Sequence, residues 1–197
     1  MLISFEGIDG SGKTSVMNAV ADQLEQQGFT VMTLQEPGTT AMGLELRKIL
    51  KSDIPRSPLT EVLMFMAARS ELVEKLIKPN LTEYDFILLD RYVDSTVAYQ
   101  GYGNGNPVHI IDELNHISTQ DIYPDATFYI HVDMATAKER RLLRNDEKDK
   151  LDTDSEFAKR VYDGYQDITN ERRVFTIENK DFDETVKSIV ALLTEPI

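Results

Sequence analysis

The stretch Phe5-Glu6-Gly7-Ile8-Asp9-Gly10-Ser11-Gly12-Lys13-Thr14 governs the interpretation of this 197-residue sequence. It fits the pattern G-x-x-x-x-G-K-[S/T], whose glycines allow backbone N–H groups to converge on a phosphate. The apolar segment 2–5 predicts a β-strand before it, and the spacing of Val16, Val20 and Leu24 predicts a helix after it. A glycine-rich turn that matched by chance would lack this context. The sequence therefore predicts a nucleoside triphosphate site.

The side chains of this loop have separate expected roles. Lys13 supplies a charge for the outer phosphates, and Thr14 supplies a hydroxyl group for Mg²⁺. A phosphate would repel the Asp9 carboxylate, so we expect it to point away and to bond either a sugar hydroxyl or the backbone. The residues predicted to bind the triphosphate are Gly7, Ile8, Asp9, Gly10, Ser11, Gly12, Lys13, Thr14 and Ser15.

The composition fits one globular domain that spans residues 1–197. A net charge of −13 argues against a nucleic-acid or anionic-membrane binder, because the overall field repels polyanions. The sequence contains no cysteine, and its three histidines lack the spacing of metal ligands, so no zinc or disulfide site is expected. No apolar run reaches transmembrane length and no signal peptide precedes the first strand, so we expect a cytoplasmic protein.

Strand-like and helix-like segments alternate, which predicts an α/β fold with a parallel sheet covered on both faces. Expected strands span 2–5, 30–34, 86–89, 127–132 and 174–177. Expected helices include 59–77 and 93–100, the second followed by a glycine-rich loop over 101–106. Ligands of such sheets bind at the carboxyl ends of the strands. This rule selects the P-loop, the turn Glu36-Pro37-Gly38 and the pair Asp90-Arg91 as one site.

Asp90 and Arg91 follow the most apolar predicted strand, 86–89. Beside a P-loop, Asp90 could hold Mg²⁺ through water or bond Thr14, and the Arg91 guanidinium could bind phosphate with a bidentate fork. The alternative is an Asp90–Arg91 ion pair that closes the strand. The P-loop favours the first interpretation, because it already requires an acidic residue here.

Phe65 and Arg69 lie four residues apart on one predicted helix, and Thr96 and Gln100 on another, so each pair shares a face. An aromatic ring beside a donor suits a flat heterocycle. An arginine that faced thymine O4 would reject cytosine, which carries an amino group in that place. In the competing interpretation Phe65 belongs to the core and Arg69 lies on the surface.

A signalling or translational GTPase is not expected. Such a protein needs an N-K-x-D motif, and residues 179–182 read Asn-Lys-Asp-Phe, one position away from it. A D-x-x-G motif would follow the third strand, where residues 90–93 read Asp-Arg-Tyr-Val.

Five segments together resemble the thymidylate kinase (dTMP kinase) family, and the resemblance covers nearly the whole chain. They are Phe5-Glu6-Gly7, Glu36-Pro37-Gly38, Ala67-Ala68-Arg69, Asp90-Arg91-Tyr92 and Ala98-Tyr99-Gln100-Gly101. The resemblance implies the P-loop nucleoside monophosphate kinase fold, with five parallel strands in the order 2-3-1-4-5, helices on both faces and a short lid over about 140–153. It also implies a homodimer that uses ATP and Mg²⁺ to convert dTMP to dTDP in dTTP biosynthesis.

The resemblance implies a pocket for the acceptor base. Phe65 would stack on thymine, and Arg69 would donate to its O4. Thr96 and Gln100 would line the pocket, and Tyr99 would crowd the 2′ position against ribonucleotides.

The resemblance also implies how the sugar and phosphates are held. Asp9 would bind the 3′-hydroxyl, and Arg47 and Arg91 would bind the acceptor phosphate, oriented by Glu36. The expected catalytic residues are Lys13, Asp90, Arg91 and Arg144, the expected metal ligands are Thr14 and Asp90, and Arg140 is expected at the nucleotide.

This sequence departs from the family pattern at three places. Thr39 replaces the second glycine of E-P-G-G-T, and it would be strained if the turn needed a positive φ there. Gly10 stands where some members carry a P-loop arginine, so the arginine is expected from the lid, as in the bacterial subtype. Lys150 stands at a lid position that is usually arginine, and lysine lacks the bidentate fork. The candidates for the transition-state cation are Arg140, Arg141, Arg144, Lys148 and Lys150, although the charges of segment 138–150, taken alone, favour a solvated helix face.

The expected in-line reaction needs no general base. The acceptor is a phosphate monoester, whose second pKa is about 6, so its oxygen is already a nucleophile near neutral pH. Catalysis then consists of alignment and charge neutralisation, with lid closure excluding water. Two other readings remain open, a broader deoxynucleotide kinase and a nucleotide-gated binding module. The apolar segment 59–77 could be a dimer interface or part of the core.

Overall fold

The computed structural model describes residues 1–143, 153–171 and 174–194. The strands are β1 (Leu2–Glu6), β2 (Val31–Gln35), β3 (Phe86–Asp90), β4 (Ala126–His131) and β5 (Val174–Glu178). They form one parallel sheet in the order β2-β3-β1-β4-β5, which confirms the predicted topology. Phe5 of β1 lies opposite Asp90 of β3 and Phe128 of β4, so the P-loop leaves the centre of the sheet.

The helices of the described residues are α1 (Lys13–Gln26), α2 (Ala41–Leu50), α3 (Pro58–Leu72), α4 (Lys78–Asn80), α5 (Val93–Thr96), α6 (Val108–Thr119), α7 (Met134–Leu143), α8 (Ser155–Glu171) and α9 (Phe182–Thr194). Hydroxyl caps begin two of them, because the side chains of Thr40 and Ser57 accept from the N–H groups of Gly43 and Thr60. None of these described helices is both long enough and apolar enough to cross a bilayer.

Two helices continue with π-helical geometry, α3 over Val73–Ile77 and α5 over Val97–Gly103. The predicted loop over 101–106 was therefore wrong for its first three residues. Gly103 serves close packing instead, because a Cβ atom there would lie 2.6 Å from the Phe157 ring of α8. The wide π turn lies on the chain between Asp90 and α6, and π turns often accompany functional sites.

The sheet buries apolar side chains on both faces, as its parallel strands require. On one face Ile3 packs in a cluster with Val16 of α1 and Ile189 of α9. On the other face Leu2 packs with Ile87 and the π-helical segment after α3. Each fully buried side chain of this size stabilises the fold by about 1.5–3 kcal/mol. Successive β1 side chains face opposite sides of the sheet, so their burial fixes the register of β1 and thus the residue at which the P-loop begins.

Candidate active site

The P-loop and the carboxyl ends of β2 and β3 enclose a cavity of about 200 Å³. The structure therefore brings together the three segments that the strand-end rule selected. The residues that line the cavity are Asp9, Gly10, Gly12, Lys13, Thr14, Ser15, Gln35, Glu36, Arg47, Asp90 and Arg91.

Gly10 shows why this P-loop carries no arginine. Its φ angle is +92°, a left-handed conformation that side chains disfavour. A Cβ atom there would lie only 2.2 Å from the backbone oxygen of Ala137 in α7. A side chain at this position would have to displace α7, so the arginine of the other subtype has no room.

The P-loop backbone is held by residues from the second half of the chain. The Ser11 carbonyl accepts from Arg140 Nη1 at 3.2 Å and from Asn179 Nδ2 at 2.7 Å. The Asp9 carbonyl accepts from Arg141 Nη1 at 2.6 Å. Arg140, which we predicted at the nucleotide, thus contacts the loop that would hold it. The other predicted lid cations, Arg144, Lys148 and Lys150, lie outside the described residues.

Thr14 and Asp90 form the predicted pair at the metal position. The Thr14 hydroxyl donates to Asp90 Oδ2 at 2.6 Å, and Gln35 Nε2 donates to the same oxygen at 3.3 Å. The other oxygen, Asp90 Oδ1, is buried and accepts no hydrogen bond from the described residues. A buried carboxylate oxygen without a donor suits a cation or a water molecule bound to it. Mg²⁺ commonly takes one or two carboxylates together with substrate phosphates, so these residues fit that ion.

Asp9 lies between the two cations of the site. Its Oδ1 atom accepts from Lys13 Nζ at 3.2 Å and from Arg91 Nη2 at 2.7 Å, and Tyr99 OH donates to Oδ2 at 3.4 Å. Burial alone would raise the pKa of Asp9, but the charges of Arg91 and Lys13 outweigh it and lower the pKa below its ordinary value. Burial, reinforced by Arg91, lowers the pKa of Lys13. Within the described residues, the Asp9 carboxylate accepts hydrogen bonds from side chains and not from the backbone.

Arg91 points into the cavity from a strained backbone. Its φ angle is +72°, and a non-glycine residue in this region costs about 1–2 kcal/mol. The guanidinium lies 4.8 Å from the Tyr99 ring centre, and its Nη1 atom donates to Ser95 Oγ at 2.9 Å and to Tyr165 OH at 3.3 Å. Its ion pair within the described residues is with Asp9, so the alternative Asp90–Arg91 pair was wrong.

Glu36 binds Arg69 instead of the two arginines that we expected it to orient. Arg69 Nε donates to Glu36 Oε2 at 3.1 Å, and Nη2 pairs with Oε1. The expectation failed because Arg69 is only 1% exposed, and a buried guanidinium needs a buried counter-charge. Arg47 instead donates from Nη1 to the Pro37 carbonyl at 2.7 Å. Burial raises the pKa of the Glu36 carboxyl, and Arg69 opposes that rise.

The buried Arg69 guanidinium bonds Thr96, another residue of the predicted base pocket. Its Nη2 atom donates to Thr96 Oγ1 at 2.8 Å, and its Nη1 atom donates to Asn115 Oδ1. Surface exposure, the alternative for Arg69, is therefore wrong. Phe65 is half-buried against a core cluster, and Gln100 donates from Nε2 to Glu61 at 3.1 Å.

Thr39 is not strained. The positive φ of this turn falls on Gly38, at +141°, and Thr39 is not among the described residues with a positive φ. Its hydroxyl accepts from the Gln35 N–H at 2.7 Å and donates to the Gln35 carbonyl at 2.9 Å. Threonine thus closes the turn after β2, where the expected cost of losing the second glycine does not arise.

Several residues of the site escaped sequence reasoning. They are Glu6, Asn115, Tyr165 and Asn179, all of them buried. Asn115, Tyr165 and Asn179 each bond a predicted site residue, and Glu6 bonds Ser95, which in turn bonds Arg91. Tyr165 lies 74 positions from Arg91, so no local pattern could join them. Glu6 could have been found, because it is the last residue of the central strand.

Comparison with known proteins agrees with this geometry. The family model described as thymidylate kinase matches residues 5–189. A thymidylate kinase of Prosthecochloris aestuarii is 40% identical over 192 residues, covering 90% of this chain and 85% of the relative. One of Nostoc sp. is 37% identical over 199 residues, covering 98% and 94%.

A solved structure is also similar over the full fold. The crystal structure of thymidylate kinase from Ehrlichia chaffeensis superposes with a TM-score of 0.80 at 36% identity, covering 98% of this chain and 97% of the other. A family match over most of the chain, close relatives and the same sheet order all lead to one conclusion. The chain belongs to the thymidylate kinase family.

Proposed function

We propose that this enzyme transfers the γ-phosphoryl group of ATP to dTMP, with Mg²⁺, and so supplies dTDP for dTTP biosynthesis. The observation that carries the proposal is that Lys13 and Thr14 of the P-loop share a cavity with Asp90 and Arg91. Lys13 and Thr14 suit a triphosphate, Asp90 suits its Mg²⁺, and Arg91 suits an acceptor phosphate. The buried Arg69 guanidinium donates to the carbonyl of Tyr92, the residue after Arg91, and its network would give the second substrate a base pocket.

The base pocket that we propose is built around Arg69. Its Nη1 atom carries a second N–H besides the one that binds Asn115, and this donor would reach thymine O4. Cytosine presents an amino group there and would be rejected. Phe65 would stack on the ring, Thr96 and Gln100 would line it, and Tyr99 would exclude a 2′-hydroxyl.

Asp9 holds two cations that the phosphates need. An arriving phosphate group would compete with this carboxylate for Lys13 and Arg91, because both pairs are direct ion pairs. Asp9 would then be released toward the 3′-hydroxyl of the acceptor sugar. Arg47 would join Arg91 on the acceptor phosphate, since it lines the same cavity.

The proposed mechanism is in-line attack without a general base. The acceptor monoester has a second pKa of about 6, so its oxygen attacks without a base near neutral pH. Lys13 and Arg91 neutralise the charge of the transferring group and align the two anions. When bound at Thr14 and Asp90, Mg²⁺ supplies electrostatic stabilisation of the phosphate oxygens. Glu36 contributes indirectly, because its ion pair holds the Arg69 guanidinium in place.

The lid 140–153 would supply the remaining cation, because Gly10 leaves no room for one in the P-loop. Arg144 is the proposed residue. Arg144→Ala should slow turnover much more than Lys148→Ala, which removes a charge of the same segment. Equal effects of the two substitutions would count against Arg144.

The function is tested by a coupled assay with ATP, Mg²⁺ and a panel of nucleoside monophosphates. Selective turnover of dTMP supports the proposal. Turnover of dCMP or dGMP at similar rates would indicate a broader deoxynucleotide kinase. Binding of ATP without turnover of any monophosphate would indicate a nucleotide-gated binding module.

We also propose that two copies associate through α2 and α3. Large apolar side chains are exposed on both helices and on the loop between them, and exposed apolar surface of this kind favours an interface. They are Met42, Leu44, Ile49, Ile54, Leu59 and Leu63. Sedimentation should give a dimer for the wild type and a monomer for Leu63→Glu. The control is Leu192→Glu on α9, a similarly exposed leucine outside that surface.

A further inference from the structure

Glu6 is a buried carboxylate to which the proposed mechanism gives no role. It ends β1 at the centre of the sheet and is 1% exposed. Burial raises its pKa, while the Ser95 hydrogen bond and the Arg91 charge oppose that rise. A carboxylate in such a place is costly unless its oxygens are well bonded. Its bonds therefore indicate why it is there.

One oxygen of Glu6 holds the backbone next to Arg91. Glu6 Oε1 accepts from the Tyr92 N–H at 2.7 Å, and the Phe5 carbonyl accepts from the Arg91 N–H at 3.1 Å. The end of β1 thus fixes the peptide groups on both sides of the Arg91 Cα atom. Such bonds explain how Arg91 keeps its φ of +72°, because strained backbone persists only where its surroundings determine it.

The other oxygen of Glu6 acts on the Arg91 side chain. Glu6 Oε2 accepts from the Ser95 hydroxyl and, at 3.3 Å, from that of Tyr165, whose oxygen also lies 2.8 Å from Ser95 Oγ. Arg91 Nη1 donates to these same two hydroxyl oxygens. Each hydroxyl has one proton, so a proton directed at Glu6 leaves an oxygen lone pair for the guanidinium. A carboxylate can only accept hydrogen bonds, so Glu6 fixes the orientation of these two hydroxyl groups.

We infer that Glu6 is a positioning residue for Arg91, which it holds by the backbone through Tyr92 and by the guanidinium through Ser95 and Tyr165. The inference rests on the proposed function, in which Arg91 binds the acceptor phosphate. Glu6 touches neither substrate and accelerates transfer only through Arg91.

The test is a double-mutant cycle on dTMP phosphorylation. Glu6→Gln keeps the size of the side chain, but its amide donor faces the two hydroxyls and turns their protons toward Arg91. With Arg91 present, kcat/KM should fall by about tenfold or more, as for other outer partners of a site. In the Arg91→Ala background the same substitution should change it less than about twofold. An equal loss in both backgrounds would overturn the inference and leave Glu6 a purely structural residue.

Ser4→Ala is the matched control. Ser4 also lies in β1 and is buried, but its hydroxyl bonds Thr127 at 2.8 Å, away from Arg91. Its effect on turnover should be small and the same in both backgrounds. A wild-type enzyme without dTMP turnover would overturn the proposed function itself, a separate outcome.

Ser95→Ala keeps the inference testable if circular dichroism shows that Glu6→Gln does not fold. This substitution removes one of the two hydroxyls between Glu6 and Arg91 and leaves the backbone bond to Tyr92, so turnover should fall about fivefold with Arg91 present. It should change little in the Arg91→Ala background. Equal effects in the two backgrounds would again overturn the inference.

Discussion

Glu36 and Arg69 form an ion pair in which neither side chain is more than 3% exposed. Removing one partner leaves an uncompensated buried charge, which costs about 3–5 kcal/mol. We expect Glu36→Leu and Arg69→Met each to lower the free energy of unfolding in urea by about that amount. The double variant should lose less than the sum of the two, because no charge is stranded. Additive losses would show that the pair is not coupled.

Asp90→Asn tests the position that fits Mg²⁺. Asparagine can still accept from Thr14, so the fold should be retained, but the negative charge is lost. Turnover should fall by about 10–100-fold, and half-maximal activity should require more Mg²⁺. The measurements are a Mg²⁺ titration of activity and, as a control for folding, the thermal midpoint. A Mg²⁺ dependence equal to that of the wild type would count against Asp90.

Arg91→Ala should lower the rate of dTMP phosphorylation by at least about two orders of magnitude, because it removes a charge that neutralises the reacting phosphates. Arg91→Lys keeps the charge but loses the bidentate fork, so its rate should lie between those of the wild type and Arg91→Ala. Steady-state kinetics with saturating ATP measure both. Near-normal turnover of Arg91→Ala would remove this residue from the mechanism.

Asp9→Asn should change how stability depends on pH. Arg91 and Lys13 hold the pKa of Asp9 below its ordinary value of 3.8, despite the opposing effect of burial. A depressed carboxyl pKa stabilises the folded state above the unfolded pKa, and that contribution disappears as pH falls through the folded pKa. The wild type should therefore exceed Asp9→Asn in unfolding free energy at pH 6, and the difference should shrink below about pH 4. A constant difference over this range would contradict the ion-pair interpretation.

Thr39→Val should destabilise the turn after β2 by about 0.5–1.5 kcal/mol, because the lost hydroxyl both donates to and accepts from the Gln35 backbone. Thr39→Ser keeps the hydroxyl and serves as the control, with a smaller loss. Thr39→Gly restores the glycine of the family pattern but should also destabilise the fold, since no positive φ requires it here. Greater stability of the glycine variant in urea would contradict this account.

Local patterns predicted the fold well because each strand carries its own signal. The continuous apolar run of β3 and the motif after β1 placed both elements within a residue or so of their observed bounds. The error at Gly101–Gly103 has a tertiary cause. Gly103 permits close contact with α8, and a pattern of single residues cannot distinguish that use from a loop.

The site residues were predictable where a motif or a strand end indicates both the residue and its expected role. Lys13 and Thr14 share one motif, and the strand-end rule placed Asp90 beside them although it lies 76 positions from Thr14. The partners of Arg69 and Arg91 were missed because they come from distant elements. Asn115 lies 46 positions from Arg69, and only the packed fold brings the two together.

The anchors of the P-loop have a consequence for the order in which this enzyme matures on the ribosome. Ser11 and its anchor Asn179 are 168 residues apart, and Arg140 and Arg141 also come late in the chain. At about 5–20 residues per second, the loop leaves the ribosome many seconds before these partners are made. The P-loop is therefore among the first parts of the enzyme to be synthesised and among the last to take its final shape. A nascent chain released early would contain the whole motif but lack the bonds that hold its backbone.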